Sequence, residues 1–156
     1  MKLYELTAAL ILIFAILLGL SSESEADPYV EIGALFESSD ATMASIGYLY
    51  NDKWEASLSY IGEGEDDWGQ DTPKVKIMAV TRLFHPGWVY NKYFMGIGLS
   101  KLESDEKYAL VDTWNFKLVI GLKLGDRSRL YFQHYSSFDV NEQNTGINAL
   151  VLRVDL

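Results

Sequence analysis

The sequence contains no cysteine. A disulfide framework, a lipid-modified N-terminal cysteine and zinc sites built on thiolates are therefore excluded. Packing and backbone hydrogen bonds alone must hold the fold together. Basic residues are also in deficit, with 13 Lys and Arg against 22 Asp and Glu and a formal net charge of −9. Because phosphate binding relies on a basic surface, nucleic acid is a poor partner for this chain.

Long apolar runs are almost absent, and the one at the N-terminus is short. It extends from Leu6 to Leu20, whereas a helix needs ~20 apolar residues to cross a bilayer. Lys2 precedes this run, and Ser24-Glu25-Ala26 follows it with small residues at the −3 and −1 positions of a cleavage site. This order predicts a secretory signal peptide over residues 1–26. An uncleaved anchor is the alternative.

The rest of the chain, residues 27–156, has room for a single domain. Its dominant pattern is alternation with period two, which predicts β-strands with one apolar face. In Trp54–Tyr60, Trp, Ala, Leu and Tyr alternate with Glu and Ser. In Trp114–Leu124 an apolar face opposes Lys117 and Lys123.

Eight segments have the length of barrel strands. They are Tyr29–Glu37, Thr42–Tyr50, Trp54–Tyr60, Val75–Leu83, Tyr93–Leu102, Trp114–Leu124, Arg129–Ser137 and Ile147–Leu156. An even number of strands suits closure as an all-β, antiparallel, up-and-down transmembrane barrel. Short turns at Asn51-Asp52-Lys53 and Gly125-Asp126-Arg127 alternate with longer loops at Ile61–Pro73 and Glu103–Asp112. Two connections fit this alternation less well, the short Ser38–Ala41 and the long His85–Lys92.

A soluble barrel of the lipocalin type is the main alternative, because alternation reports two faces and not which of them points inward. Three features favour the membrane barrel with its apolar face outward. The chain carries an export signal without cysteines, it ends within a strand at Leu156, and aromatic residues such as Trp54 and Trp114 lie near strand ends. We therefore expect an exported protein of the outer membrane.

Polar residues interrupt the apolar face near the C-terminus. His134 and Ser136 share a strand face with Leu130 and Phe132, and Asn148 lies on the apolar face of the last strand. An unpaired polar group in hydrocarbon is costly, so this placement needs an explanation. Antiparallel pairing of the two strands would bring the three side chains together. A His-x-Ser pair in a strand also arises by chance, so the spacing leaves open both catalysis and a rim histidine that merely tolerates the interface.

The stretch Gln133-His134-Tyr135-Ser136-Ser137, followed by Asn144-Thr145-Gly146-Ile147-Asn148, resembles the C-terminal signature of the PagL and acyloxyacyl-hydrolase-like family. The resemblance implies an outer-membrane barrel that hydrolyses an ester-linked acyl chain of lipid A in lipopolysaccharide. It assigns Ser136 as the nucleophile and His134 as the base, with no metal or organic cofactor. The likeness covers about the last 25 residues.

The sequence departs from the family pattern at three positions. Asn148 stands where the family has the orienting Glu, Ser137 stands where it has an Asn of the oxyanion hole, and Thr145 replaces Pro. An Asn can orient an imidazole but cannot offset its positive charge, which predicts weakened activity. We assign supporting roles near the oxyanion and the imidazole to Ser137, Asp139 and Asn144, with Glu142 as a further candidate carboxylate.

Two other functions are left open by the sequence. One is a non-catalytic outer-membrane barrel with a structural or lipid-binding role, in which the His-x-Ser pair is a relic. The other is a soluble barrel that holds a small apolar ligand. A homodimer is also left open, since nothing in the residues argues for or against it.

Overall fold

The computed structural model describes residues 26–37, 39–66, 68–86, 92–104, 114–137 and 146–156. Ten strands lie in this part of the chain, and eight of them form a closed antiparallel barrel. The barrel strands are β1 (Ala26–Phe36), β2 (Thr42–Tyr50), β3 (Trp54–Ile61), β6 (Val75–Phe84), β7 (Tyr93–Ser104), β8 (Trp114–Lys123), β9 (Ser128–Ser137) and β10 (Ile147–Asp155). A small ribbon of β4 (Gly64–Glu65) and β5 (Asp71–Thr72) lies within the connection from β3 to β6.

Each barrel strand pairs with its neighbours in chain order, and β1 closes the barrel on β10. The predicted up-and-down topology of eight strands is therefore confirmed. The expected signal peptide falls on residues outside the described part, except for Ala26, which begins β1. No helix within the described ranges is long and apolar enough to cross a membrane.

The outer face of the barrel is apolar. Its exposed side chains include Val30, Ile32, Ile46, Leu58, Val80, Ile97, Leu99, Leu118, Ile120, Leu150, Leu152 and Val154. Exposed Trp54, Tyr93 and Trp114 each begin a strand, where aromatic girdles of membrane barrels lie. The soluble alternative required charges outside. Here apolar side chains cover the exposed face, and Glu55, Lys117 and Arg153 are buried inside together with an apolar cluster.

The lumen contains many of the polar side chains that alternate with this apolar face. Glu55 of β3 is almost fully buried and accepts hydrogen bonds from Lys117 at 2.9 Å and from Arg153 at 3.0 Å. Arg153 also donates to Asp155 at 2.6 Å. An eight-stranded barrel is so narrow that side chains fill its interior. Charged groups from opposite strands therefore meet and pair with one another.

The two rims of the barrel differ as the sequence predicted. At one rim, β2 and β3 are joined by a tight turn in which Asn51 and Asp52 both have positive φ, 51° and 55°. This backbone matches the twist of a hairpin and suits Asn and Asp. The opposite rim bears the longer connections, including the β4–β5 ribbon.

The short β1–β2 connection, which interrupted the expected pattern of long loops, is covered by that ribbon. Asp40 donates its backbone N–H to the carbonyl of Glu65 at 3.0 Å and accepts the N–H of Glu65 through its carboxylate at 2.7 Å. The hydroxyls of Ser39 and Thr72 lie 2.7 Å apart. A neighbouring loop therefore supplies the contacts that a longer β1–β2 loop would otherwise make for itself.

Candidate active site

The three residues singled out on the apolar face lie on β9 and β10 near the long-loop rim. Their neighbours Gln133 and Tyr135 are fully buried in the lumen, so by strand alternation His134 and Ser136 project from the outer face. His134 is paired in register with Asn148 on one side and with Leu118 on the other. The predicted phase of the two strands is therefore the one observed.

His134 and Asn148 are in direct contact. Nδ1 of His134 lies 2.7 Å from Oδ1 of Asn148. Asn148 is largely buried, and it donates a second hydrogen bond from Nδ2 to Oε2 of Glu37 at 2.9 Å. Two hydrogen bonds thus connect the imidazole, through the Asn148 side chain, to the exposed carboxylate of Glu37.

Glu37 is a member of the site that sequence reasoning missed. It directly follows β1, and the closure of β1 on β10 pairs its neighbour Phe36 with Asn148. The sequence placed candidate carboxylates at Asp139 and Glu142, which lie outside the described residues. The signal that could have found Glu37 was closure itself, because an eight-stranded barrel must bring the end of its first strand to the start of its last.

Gly146 provides the space for the imidazole. It precedes β10 with φ of 74°, a left-handed conformation that glycine adopts without steric cost. A Cβ added at this position would lie 2.5 Å from Cε1 and 3.2 Å from Nδ1 of His134. The backbone therefore approaches the ring closely, and a glycine is required on both counts.

Ser136 lies two residues beyond His134 and is partly exposed. Phe116 is its register partner on β8, and the Phe116 ring centroid is 6.3 Å from that of His134. Among the hydrogen bonds of the described residues, none joins Ser136 to His134. Catalytic hydrogen bonds are often long without substrate and tighten when it binds, so this geometry is compatible with a nucleophile and base pair.

Of the three supporting residues named from the sequence, the structure describes only the position of Ser137 in the chain. Ser137 is the last residue of β9, which puts it at the rim next to Ser136. Asp139 and Asn144 lie outside the described residues. Within the described ranges, no group of three or more His, Asp or Glu side chains is arranged to hold a metal ion.

An apolar groove of about 580 Å³ extends over the outer face beside the site. Phe116, the register partner of Ser136, lines one part of it. The other lining residues are Trp54, Val80, Arg82, Ile97, Gly98 and Leu99. Ile97 and Leu99 are exposed aliphatic side chains on its floor, and Gly98 between them contributes only backbone. The result is an apolar depression of the kind that an acyl chain can fill.

Comparison with known proteins supports the fold and does not assign a function. No protein-family model and no curated protein matches the chain. The structure is similar to the N-terminal β-barrel domain of OprF from Pseudomonas aeruginosa, at 15% sequence identity and a TM-score of 0.52, over 86% of this chain and 100% of that chain. The outer membrane enzyme PagL aligns at 19% identity and a TM-score of 0.49, over 83% and 99% of the two chains.

The closed barrel, the charged groups buried in its lumen and its apolar outer face define an outer-membrane β-barrel. The likeness to the OprF domain shows that fold as well. The sequence-based prediction of an outer-membrane barrel is therefore confirmed. The finer resemblance to the deacylases stays a prediction.

Proposed function

We propose that this protein is a serine esterase of the outer membrane that removes an ester-linked acyl chain from lipid A. One observation carries the proposal. His134, Ser136 and Asn148 lie on the lipid-facing surface, at the long-loop rim, with the imidazole hydrogen-bonded and oriented. Polar side chains on a lipid-facing surface are costly and do not stabilise the contact with lipid. Polar residues at such positions usually have a function.

The position of the site supports a lipid substrate. In outer-membrane barrels the longer loops face the cell exterior, so this rim lies at the level of the outer leaflet. Ester bonds of lipid A lie at the junction of its head group and acyl chains. The apolar groove beside Phe116 offers a surface for the chain that is cleaved.

The chemistry follows the ordinary serine esterase scheme. Nε2 of His134 takes the proton of the Ser136 hydroxyl as its oxygen attacks the ester carbonyl carbon. The tetrahedral intermediate collapses, the C–O bond to the lipid breaks, and the imidazolium returns the proton to the leaving alkoxide. A water molecule, deprotonated by the same imidazole, then releases the fatty acid. Backbone amides beyond Ser136, with the Ser137 hydroxyl, are assigned to the oxyanion.

The test measures fatty-acid release from lipid A by mass spectrometry, with purified protein in detergent. Ser136→Ala and His134→Ala should each lower the rate by at least about 10⁴, since the members of a triad act as a unit. Ser57→Ala and His85→Ala are matched controls, because Ser57 is buried in the lumen and His85 follows β6 at the opposite rim. Both controls should retain activity.

Equal product from the wild type and from both site variants would overturn the proposal and favour a non-catalytic barrel. A parallel incubation with phospholipid defines the substrate class. Cleavage of phospholipid alone would contradict lipid A as the substrate.

A further inference from the structure

We infer that Glu37 is a positioning residue that sets the tautomer of His134 by holding the side-chain amide of Asn148 in one orientation. This inference rests on the proposed function for its catalytic meaning. Two hydrogen bonds carry it, 2.9 Å from Asn148 Nδ2 to Glu37 Oε2 and 2.7 Å between Asn148 Oδ1 and His134 Nδ1.

The argument depends on what each group can donate or accept. A carboxylate only accepts hydrogen bonds, so Glu37 binds the NH₂ end of the Asn148 amide and leaves the oxygen end toward His134. An amide oxygen also only accepts, so Nδ1 of His134 must carry the proton. The lone pair is then on Nε2, the nitrogen needed as the base for Ser136.

Without Glu37 the Asn148 amide loses the hydrogen bond that favours this orientation. Turned by half a rotation, it would present its NH₂ group to Nδ1, which would then need a lone pair, and the proton would move to Nε2. In a well-known triad, replacing the orienting Asp by Asn favours this wrong tautomer and costs about 10⁴ in turnover. Glu37 therefore counters the weakness that Asn148 introduces.

The backbone at Glu37 supports a specific role for its side chain. Its φ is 65°, a left-handed conformation that is uncommon for residues other than Gly, Asn and Asp. Such conformations are strained and are concentrated at functional sites. The flanking contacts, Leu35 N–H to the Ala41 carbonyl at 2.9 Å and the two bonds between Asp40 and Glu65, keep the chain in this path.

The direct test is ¹⁵N NMR of the histidine rings in detergent micelles, recorded at alkaline pH. Only two histidines are present, and His85→Gln assigns the signals. The wild type should show the Nδ1–H form of His134. Glu37→Lys should shift it to the Nε2–H form, because an ammonium group only donates and would bind the oxygen end of Asn148.

Glu37→Gln is the conservative variant, because its amide oxygen can still accept from Asn148. It should keep most of the Nδ1–H form. Glu65→Lys is the matched control for charge, since Glu65 is exposed on the same rim and binds its neighbours through its backbone and not its carboxylate. It should leave the tautomer unchanged.

Activity on lipid A should follow the tautomer, with a loss of on the order of a hundredfold for Glu37→Lys, below the limit of about 10⁴ for a fully wrong tautomer. The Nδ1–H form retained in Glu37→Lys would overturn the inference. A tautomer switch in a protein that cleaves no lipid would instead overturn the proposed function and support the assignment of Glu37 to the imidazole.

Discussion

The lumen and the outer rim of this barrel both contain polar side chains linked in a row, but the two rows end differently. In the lumen, charges of opposite sign alternate from Lys117 through Glu55, Arg153 and Asp155 to Arg129, with N···O distances of 2.6 to 3.2 Å. Every charged group in this row has a partner of opposite sign. At the outer rim, Glu37, Asn148 and His134 form a row that runs from an exposed carboxylate to an imidazole and contains no ion pair.

This difference supports a structural role for the lumen row and is consistent with the catalytic role that we propose for the outer row. A buried charge must be paired or the fold loses stability, so the lumen row is explained by the burial of its members. The outer row lies among Phe36, Phe116 and Phe132, on a face where apolar residues alone would be enough for contact with lipid. Its hydrogen bonds orient a single imidazole. An apolar lipid-facing surface requires no oriented imidazole, whereas the proposed catalysis does.

The largest expected effect breaks the lumen row. Glu55→Ala leaves both Lys117 and Arg153 without their shared acceptor, and removing one partner of a buried pair costs about 3–5 kcal/mol. The free energy of unfolding, measured by urea titration in lipid vesicles, should fall by that amount, while the folded fraction keeps its activity. Glu55→Gln retains an acceptor and should lose less. A loss under about 1 kcal/mol for Glu55→Ala would contradict a structural role for this row.

The next prediction tests the lipid-facing surface that surrounds the outer row. Ile46 lies in the middle of β2 and is 61% exposed. Ile46→Arg should lower the free energy of unfolding by about 2–4 kcal/mol, the cost of a cation near the bilayer midplane. Leu124→Arg, in the turn after β8, should cost about 0–1 kcal/mol because it lies near the interface. Equal costs at the two sites would mean that depth in a membrane does not govern this face.

The smallest expected effect concerns the glycine beneath the imidazole. Gly146→Ala should displace His134 and lower esterase activity by roughly tenfold, which corresponds to about 1.4 kcal/mol. Gly69→Ala is the matched control, since Gly69 has nearly the same φ, 73° against 74°, but no atom within 4 Å of an added Cβ. The control shares the backbone strain and lacks the crowding. Similar activities for the two variants would contradict a role for close approach to the ring.

Much of the fold could be predicted from the sequence. All eight predicted segments match barrel strands to within a few residues, and period-two alternation gives each strand two faces. On β6 the expected outward direction of the apolar face was wrong: Val75, Ile77 and Leu83 lie in the lumen, and Arg82 lines the outer groove. The tight turn at Asn51 and Asp52 was predictable because few other residues tolerate positive φ. The contact between β4–β5 and the β1–β2 connection was not, since it joins two loops that are distant in the chain and form no repeating pattern.

The candidate site divides in the same way. The neighbouring strands β9 and β10 are joined in sequence, so local pairing was enough to bring His134 to Asn148. Glu37 is distant in the chain and meets Asn148 only through closure of the first strand on the last. The sequence therefore pointed to carboxylates in the nearer loop, at Asp139 and Glu142, which stay untested.

By itself the sequence determined which side chains share a face, because the two-residue repeat of a strand is a local property of the backbone. It also determined that His134, Ser136 and Asn148 lie on the apolar one. The tertiary structure decided that this face points outward and that Glu37 completes the row. Both depend on closure, in which the first and last barrel strands pair and one face of every strand is enclosed.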